Sequence, residues 1–179
     1  MAKPDKTPAP RLNVGSGMML KEGWVNFDCK EFENHGIKTN VVGRIENIVE
    51  IFGERSFMTV LCSHVIEHFY FREGIKVLQD LFKLLRRNGK LILEAPDING
   101  IYWLMKQRNL DDYWLSQMLF GDPDHVENHG VEWAHKAGWS RHIAETEMKK
   151  IGFDVVHVGR GMTHGMGKRD FRVEGVRRD

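Results

Sequence analysis

Cysteine is scarce. Cys29 and Cys62 are the only two in 179 residues, which excludes a disulfide-stapled scaffold and, with no secretory signature, fits a reducing cytoplasm. An excess of one charge is also missing. Lys and Arg number 26 against 25 Asp and Glu, a formal charge of +1, so there is no global electrostatic argument for nucleic acid or an anionic membrane as partner. No uninterrupted apolar run approaches the roughly 20 residues of a membrane span. Proline is rare, and three of the five stand within Met1–Pro10 beside Lys3 and Lys6. That stretch lacks the apolar core of a signal peptide and reads as a flexible leader over 1–10. No internal repeat and no low-complexity tract appears. What remains, at 41% hydrophobic and 28% charged residues, predicts a single globular domain over 11–179 with one substantial core.

The pattern centres on Leu12-Asn13-Val14-Gly15-Ser16-Gly17, followed by Gly23-Trp24-Val25-Asn26-Phe27-Asp28. It reads as a strand, a glycine turn and a second strand, with room for at most a stunted helix between. Glycines after a buried strand let the backbone approach a ligand closely, and a carboxylate at the tip of the next strand can accept from a ribose diol.

Further along, Lys38 to Gly43 is predicted as a strand, and Ile45, Ile48, Val49 and Phe52 recur at helical spacing. Phe57 to Ser63 is a stronger strand. Ile75, Leu78, Leu81, Phe82 and Leu85 predict a helix over 72–87, with Arg86 and Arg87 in its last turn and Gly89 as its stop. Lys90 to Ala95 is a buried strand. The aromatic-rich stretch 98–138 interrupts the alternation with one helix and a turn at Gly121; its aromatics either join the core or line a pocket. Ser140 caps a helix through Lys150 that ends at Gly152. Phe153–Val158 and Asp170–Val176 alternate as antiparallel partners. The sum is an α/β fold with a mostly parallel sheet and an antiparallel edge. Ligands of such sheets bind beyond the carboxyl ends of the strands, where Gly15, Asp28, Ser63 and Asp97 fall.

Together with Ser63-His64-Val65-Ile66-Glu67-His68-Phe69 and Leu84-Leu85-Arg86-Arg87-Asn88-Gly89-Lys90-Leu91-Ile92-Leu93-Glu94-Ala95-Pro96-Asp97, the two opening blocks resemble the class I S-adenosylmethionine (SAM)-dependent methyltransferases. More closely, they resemble a compact type-11-like subgroup. His135-Lys136 and Ile151-Gly152-Phe153 extend the resemblance over nearly everything after Pro10. It implies a Rossmann-like three-layer α/β/α fold with SAM as cofactor. In the pattern of the resemblance, Asn13, Gly15, Ser16 and Gly17 wrap the methionine end, Asp28 holds the ribose hydroxyls, and Arg44 and Ile45 flank the adenine. Ser63 and His64 face the methionine moiety or the acceptor. The chain departs from that pattern in lacking acidic residues at 43–44 and at Met58.

Methyl transfer from a sulfonium asks mainly for positioning. His64 or His68 is the candidate base for a hydroxyl or amine acceptor, because imidazole titrates near neutrality. The expected function is therefore methyl transfer to a small-molecule or sugar-containing acceptor. The alternative is a non-catalytic cofactor- or partner-binding module with the same fold. A nicotinamide fingerprint fails, since Leu20 stands where glycine is wanted and Asp28 comes too soon after the loop. Nucleic-acid methylation lacks a basic bias. Asp122, Asp124, His125, Glu127 and His129 match no recognised metal spacing and read as a solvated loop, so no metal is expected.

Overall fold

The computed structural model describes residues 10–179; the leader expected over 1–10 lies, but for Pro10, outside them. Strand β1 (Arg11–Val14) lies parallel to β2 (Val25–Asp28), with Leu12 opposite Val25 and Val14 opposite Phe27. No helix forms between them. Instead a buried amide pair organises the connection. Asn13 Nδ2 donates to Asn26 Oδ1 and to the Met19 carbonyl, both at 3.0 Å, while Asn26 binds Lys21 through both its amide groups. Side chains thus satisfy loop backbone groups that a helix would satisfy internally.

The strand expected over 38–43 is divided. Glu33–Asn34 (β3) and Ile37–Lys38 (β4) form a small hairpin, and only Val41–Val42 (β5) joins the main sheet, beside β2. Thr39 ends the hairpin by binding Phe32 through both its backbone and its hydroxyl, and Asn40 is spent on the Asn26 amide. A 3₁₀ turn at Ile45–Asn47 and helix α1 (Ile48–Phe52) lead to β6 (Phe57–Ser63).

After a second 3₁₀ turn, Ile66–His68, helix α2 runs over Phe71–Leu84 and β7 over Leu85–Pro96. The helix ends before Arg86 and Arg87, because Leu85 already pairs with Phe57 across the sheet. Asn88, at φ +61°, makes the left-handed turn that Gly89 was expected to make.

The stretch 98–138 holds three helices rather than one: α3 (Ile98–Arg108), α4 (Asp112–Phe120) and α5 (Pro123–His129). Each starts on an aspartate cap, Asp97, Asp111 and Asp122, accepting from Asn99, Trp114 and Asp124 backbone amides. The carboxylate-rich stretch at 122–124 is thus a helix start. Ser140 caps α6 (Arg141–Ile151) by accepting from the Ile143 amide, and Gly152 ends it in the left-handed region, as expected. The chain closes with β8 (Phe153–Arg160) and β9 (Asp170–Arg177).

The seven-stranded sheet has the order β5-β2-β1-β6-β7-β9-β8. All strands are parallel except β9, which slots antiparallel between β7 and the edge strand β8. This is the expected Rossmann-like α/β fold with its antiparallel edge. Leu78, Leu81 and Leu84 of α2 and Leu12, Val60, Leu91 and Leu93 of the strands are fully buried together, each contributing about 1.5–3 kcal/mol of hydrophobic stabilisation. Gly74 lets α2 approach its neighbour: a Cβ there would stand 2.8 Å from Trp139, itself a buried ring. The chain leaves β1 toward β2 and β5, then returns to β6 on the other side. The reversal opens a crevice at the carboxyl ends of β1 and β6, the standard ligand position of such sheets.

Candidate functional site

The glycine turn occupies one lip of that crevice. Gly15 and Gly17 have φ of +61° and +45°, and a side chain on Gly15 would run into Val65. Ser16 ties back to Phe27 through its amide, 3.1 Å. Its hydroxyl, on a residue 2% exposed, makes no hydrogen bond among the described residues. Asp28 closes the loop by accepting from the Gly17 amide at 2.8 Å and from the Lys30 amide. Asn13 sits behind the loop with its amide nitrogen engaged as described. Arg44 is exposed and pairs with Glu46 at 2.9 Å, while Ile45 packs against the core beside it.

The other lip is built on β6. Ser63 donates to Glu94 Oε2 at 3.2 Å, and His64, the next residue, has φ +56°, an uncommon conformation for a residue with a side chain. His64 Nε2 lies 3.1 Å from Asp170 Oδ2, and its Nδ1 lies 3.2 Å from Glu67 Oε1. Burial pushes the His64 pKa down, but the hydrogen bond to Asp170 and the adjacent Glu67 outweigh it and lift it to about 9. Glu67 is driven the other way: burial raises its pKa, and the His64 charge outweighs that and holds it near 2. His64 is therefore an imidazolium at neutral pH, with both nitrogens facing carboxylates and no free lone pair. In that arrangement His64 has no lone pair to offer as a base.

A second carboxylate organises the crossing between sheet and loop. Glu94 accepts from the Met162 and Thr163 amides at 3.1 and 3.0 Å and from Arg172 at 2.9 Å, which fastens the loop between β8 and β9 over the crevice. Asp170 is also bound twice by Arg169, at 2.6 and 2.9 Å. Sequence reasoning missed Glu94, Asp170 and Arg172 as site residues. The available signal was a charge inside a buried strand pattern, since Glu94 is 1% exposed in β7.

Two further imidazoles stand behind His64. His68 Nδ1 lies 3.3 Å from the Ala134 carbonyl and His135 Nδ1 lies 3.2 Å from the Met118 carbonyl, and their rings meet edge to face with centroids 5.2 Å apart. Burial, ahead of other causes, lowers the His135 pKa. The aromatics from Tyr102 to Trp139 divide. Trp139 is core, whereas Tyr102, Trp103, Tyr113 and Phe120 are exposed on α3 and α4. Trp103 meets Lys168 of the β8–β9 loop at 5.8 Å.

The same architecture is found in solved structures. A SAM-dependent methyltransferase from Archaeoglobus fulgidus is 14% identical, with 95% of this chain and 87% of that one covered at a TM-score of 0.64. The 1,6-didemethyltoxoflavin-N1-methyltransferase of Burkholderia thailandensis, determined with 1,6-didemethyltoxoflavin and S-adenosylhomocysteine bound, is 13% identical over 96% of this chain and 72% of its own, at 0.60. An S-adenosylmethionine-dependent methyltransferase from Mesorhizobium loti is 12% identical over 94% and 91%, at 0.62. At these identities the likeness shows a shared fold. No protein-family model and no curated protein sequence matches the chain.

Proposed function

We propose that this chain is a SAM-dependent methyltransferase of the compact type-11-like kind, acting on a small-molecule or sugar-containing acceptor. The observation that carries the reading is the lip built by Gly15, Ser16, Gly17 and Asp28 at the reversal of strand order. A buried hydroxyl without a partner, glycines in left-handed conformations and a carboxylate at the next strand tip suit a ligand that joins an amino acid to a nucleoside.

SAM supplies a methyl group on a sulfonium, already activated for transfer. The chain's own part is to hold and orient. In this reading the amides of Gly15 to Gly17 and the Ser16 hydroxyl receive the methionine carboxylate, with Asn13 fixing the loop from behind. The Asp28 carboxylate keeps lone pairs for the ribose diol after accepting from Gly17. Ile45 supplies an apolar face for the adenine and Arg44 covers its edge. Ser63 and the His64 imidazolium stand at the methionine and acceptor end, where a fixed cation suits an anionic or polar acceptor group. His68 is the remaining imidazole for proton removal, since in its neutral form the Nδ1 proton goes to Ala134 and Nε2 keeps its lone pair. Residues 11–179 are read as one domain, with 98–138 covering the acceptor. Two free thiols, Cys29 and Cys62, accord with a cytoplasmic setting, and among the described residues no helix is long and apolar enough to cross a membrane.

A non-catalytic binding module is the second reading, favoured by the engagement of both His64 nitrogens. Calorimetric titration with SAM and S-adenosylhomocysteine, beside an Asp28→Ala variant, tests the pocket. Micromolar binding that the variant loses supports it, and no binding by the unaltered protein overturns the cofactor pocket and leaves only a partner-binding module. Binding without turnover on any acceptor of a broad panel favours the module.

A further inference from the structure

We propose that Glu67, His68 and His135 hold a divalent transition-metal ion of the zinc type, on the side of the crevice covered by α3 to α5. The three donor groups offer ligand atoms that all lie within 4.8 Å of one another. They come from two distant parts of the chain, the 3₁₀ turn after β6 and the segment after α5. The Lys136 and Ala137 amides, donating to the Glu67 carbonyl at 2.7 and 3.2 Å, clamp those parts together.

The histidines are set for ligation. A carbonyl only accepts, so each Nδ1 must carry its proton toward Ala134 or Met118, which leaves the Nε2 lone pair on each neutral ring. A ring N–H directed at a backbone carbonyl is the arrangement that orients metal-bound histidines. The carboxylate has an oxygen to spare for a cation. Glu67 is 2% exposed, yet neither of its oxygens accepts an aligned hydrogen bond among the described residues. His64 stands near Oε1 alone. The His64 charge offsets the burial of the carboxylate from that side, and Oε2 is left as the oxygen a bound cation would take. Glu67 and His135 also line a cavity of about 10 Å³ with Ile98, Ile101, Met118 and Trp139, about the room that one water-sized ligand needs.

Two imidazoles and one carboxylate match a zinc site with a fourth position open. The small cavity beside Glu67 and His135 has room for a water as that fourth ligand. An ion there lowers the pKa of whatever it binds and takes proton removal over from His68. The site does not depend on SAM, so it stands or falls separately from the methyltransferase reading.

The test uses the full chain, freed of metal by chelator and titrated with Co²⁺ as the visible probe and then with Zn²⁺. One equivalent of Co²⁺ should bind with the intense visible absorption of a low-coordinate site, and Zn²⁺ should displace it. Zn²⁺ should also raise the melting temperature by mass action. His68→Ala and His135→Ala, each checked for native far-UV circular dichroism, should weaken binding by about a hundredfold or more. The exposed control His142→Ala should not. Failure of the unaltered chain to bind one equivalent overturns the proposal without any variant. Undiminished binding by folded His68→Ala and His135→Ala overturns it too, and assigns the ion to another part of the surface.

Discussion

His64 and Asp170, 106 positions apart in the chain, meet with Nε2 and Oδ2 at 3.1 Å. The contact joins the end of β6 to the start of β9, and so the first half of the fold to the strand that runs against the rest. Because Asp170 also takes two bonds from Arg169, both cations lose a partner if it goes. In a double-mutant cycle with His64→Gln and Asp170→Asn, urea unfolding should give a coupling of about 1–3 kcal/mol. Additivity within about 0.5 kcal/mol would show the contact to be incidental.

Glu94 should shape the acid limb of stability. Burial pushes its carboxyl up, but the Thr163 hydroxyl, the Thr163 and Met162 amides and Arg172 outweigh it and hold the pKa below the ordinary carboxylate range. A depressed folded pKa means that its stabilisation is complete above the unfolded pKa, about 4.3, and is lost as pH falls through the lower folded value. Glu94→Gln should be less stable at neutral pH and lose less on acidification. Unfolding midpoints measured from about pH 7 down to about pH 3 decide it, and parallel curves for both proteins would refute the assignment.

Gly74→Ala sets two effects against each other. Alanine gains up to about 1 kcal/mol of helix propensity. Against that, the new methyl meets Trp139 at 2.8 Å and the Ile66 carbonyl at 3.4 Å, and overpacking of this kind costs about 1–3 kcal/mol. Net destabilisation is expected, relieved when Trp139→Leu is added. A thermally stabilised Gly74→Ala would mean that the helix simply shifts outward.

Ser16→Ala separates folding from binding. The hydroxyl is buried without a partner, so its removal should leave stability unchanged or raise it by up to about 1 kcal/mol. If the loop receives a carboxylate, the same change should weaken SAM binding by about tenfold. Equal affinity in both proteins would remove Ser16 from the site.

Asp28 and the glycine turn were legible because their meaning is local: a strand, a left-handed turn and a carboxylate follow one another within a few residues. Ser140 and Gly152 were legible for the same reason, as caps written beside the helix they bound. Glu94 and Asp170 were not, since each looked like an isolated charge in a strand until β9 lay against β7. The single helix expected within 98–138 became three because Asp122, expected in a solvated loop, caps one helix, Asp97, expected only at a strand end, caps another, and Asp111 caps the third.

The sequence by itself determined the layered α/β alternation, the glycine turn after β1 and the antiparallel pair at the edge, all of which rest on periodicity and turn chemistry within short windows. Only the tertiary structure decided that His64 is a clamped cation and that Glu67, His68 and His135 converge. Protonation states and ligand sets depend on which charges are brought together in a medium that screens them poorly, and the chain order of those charges does not reveal that.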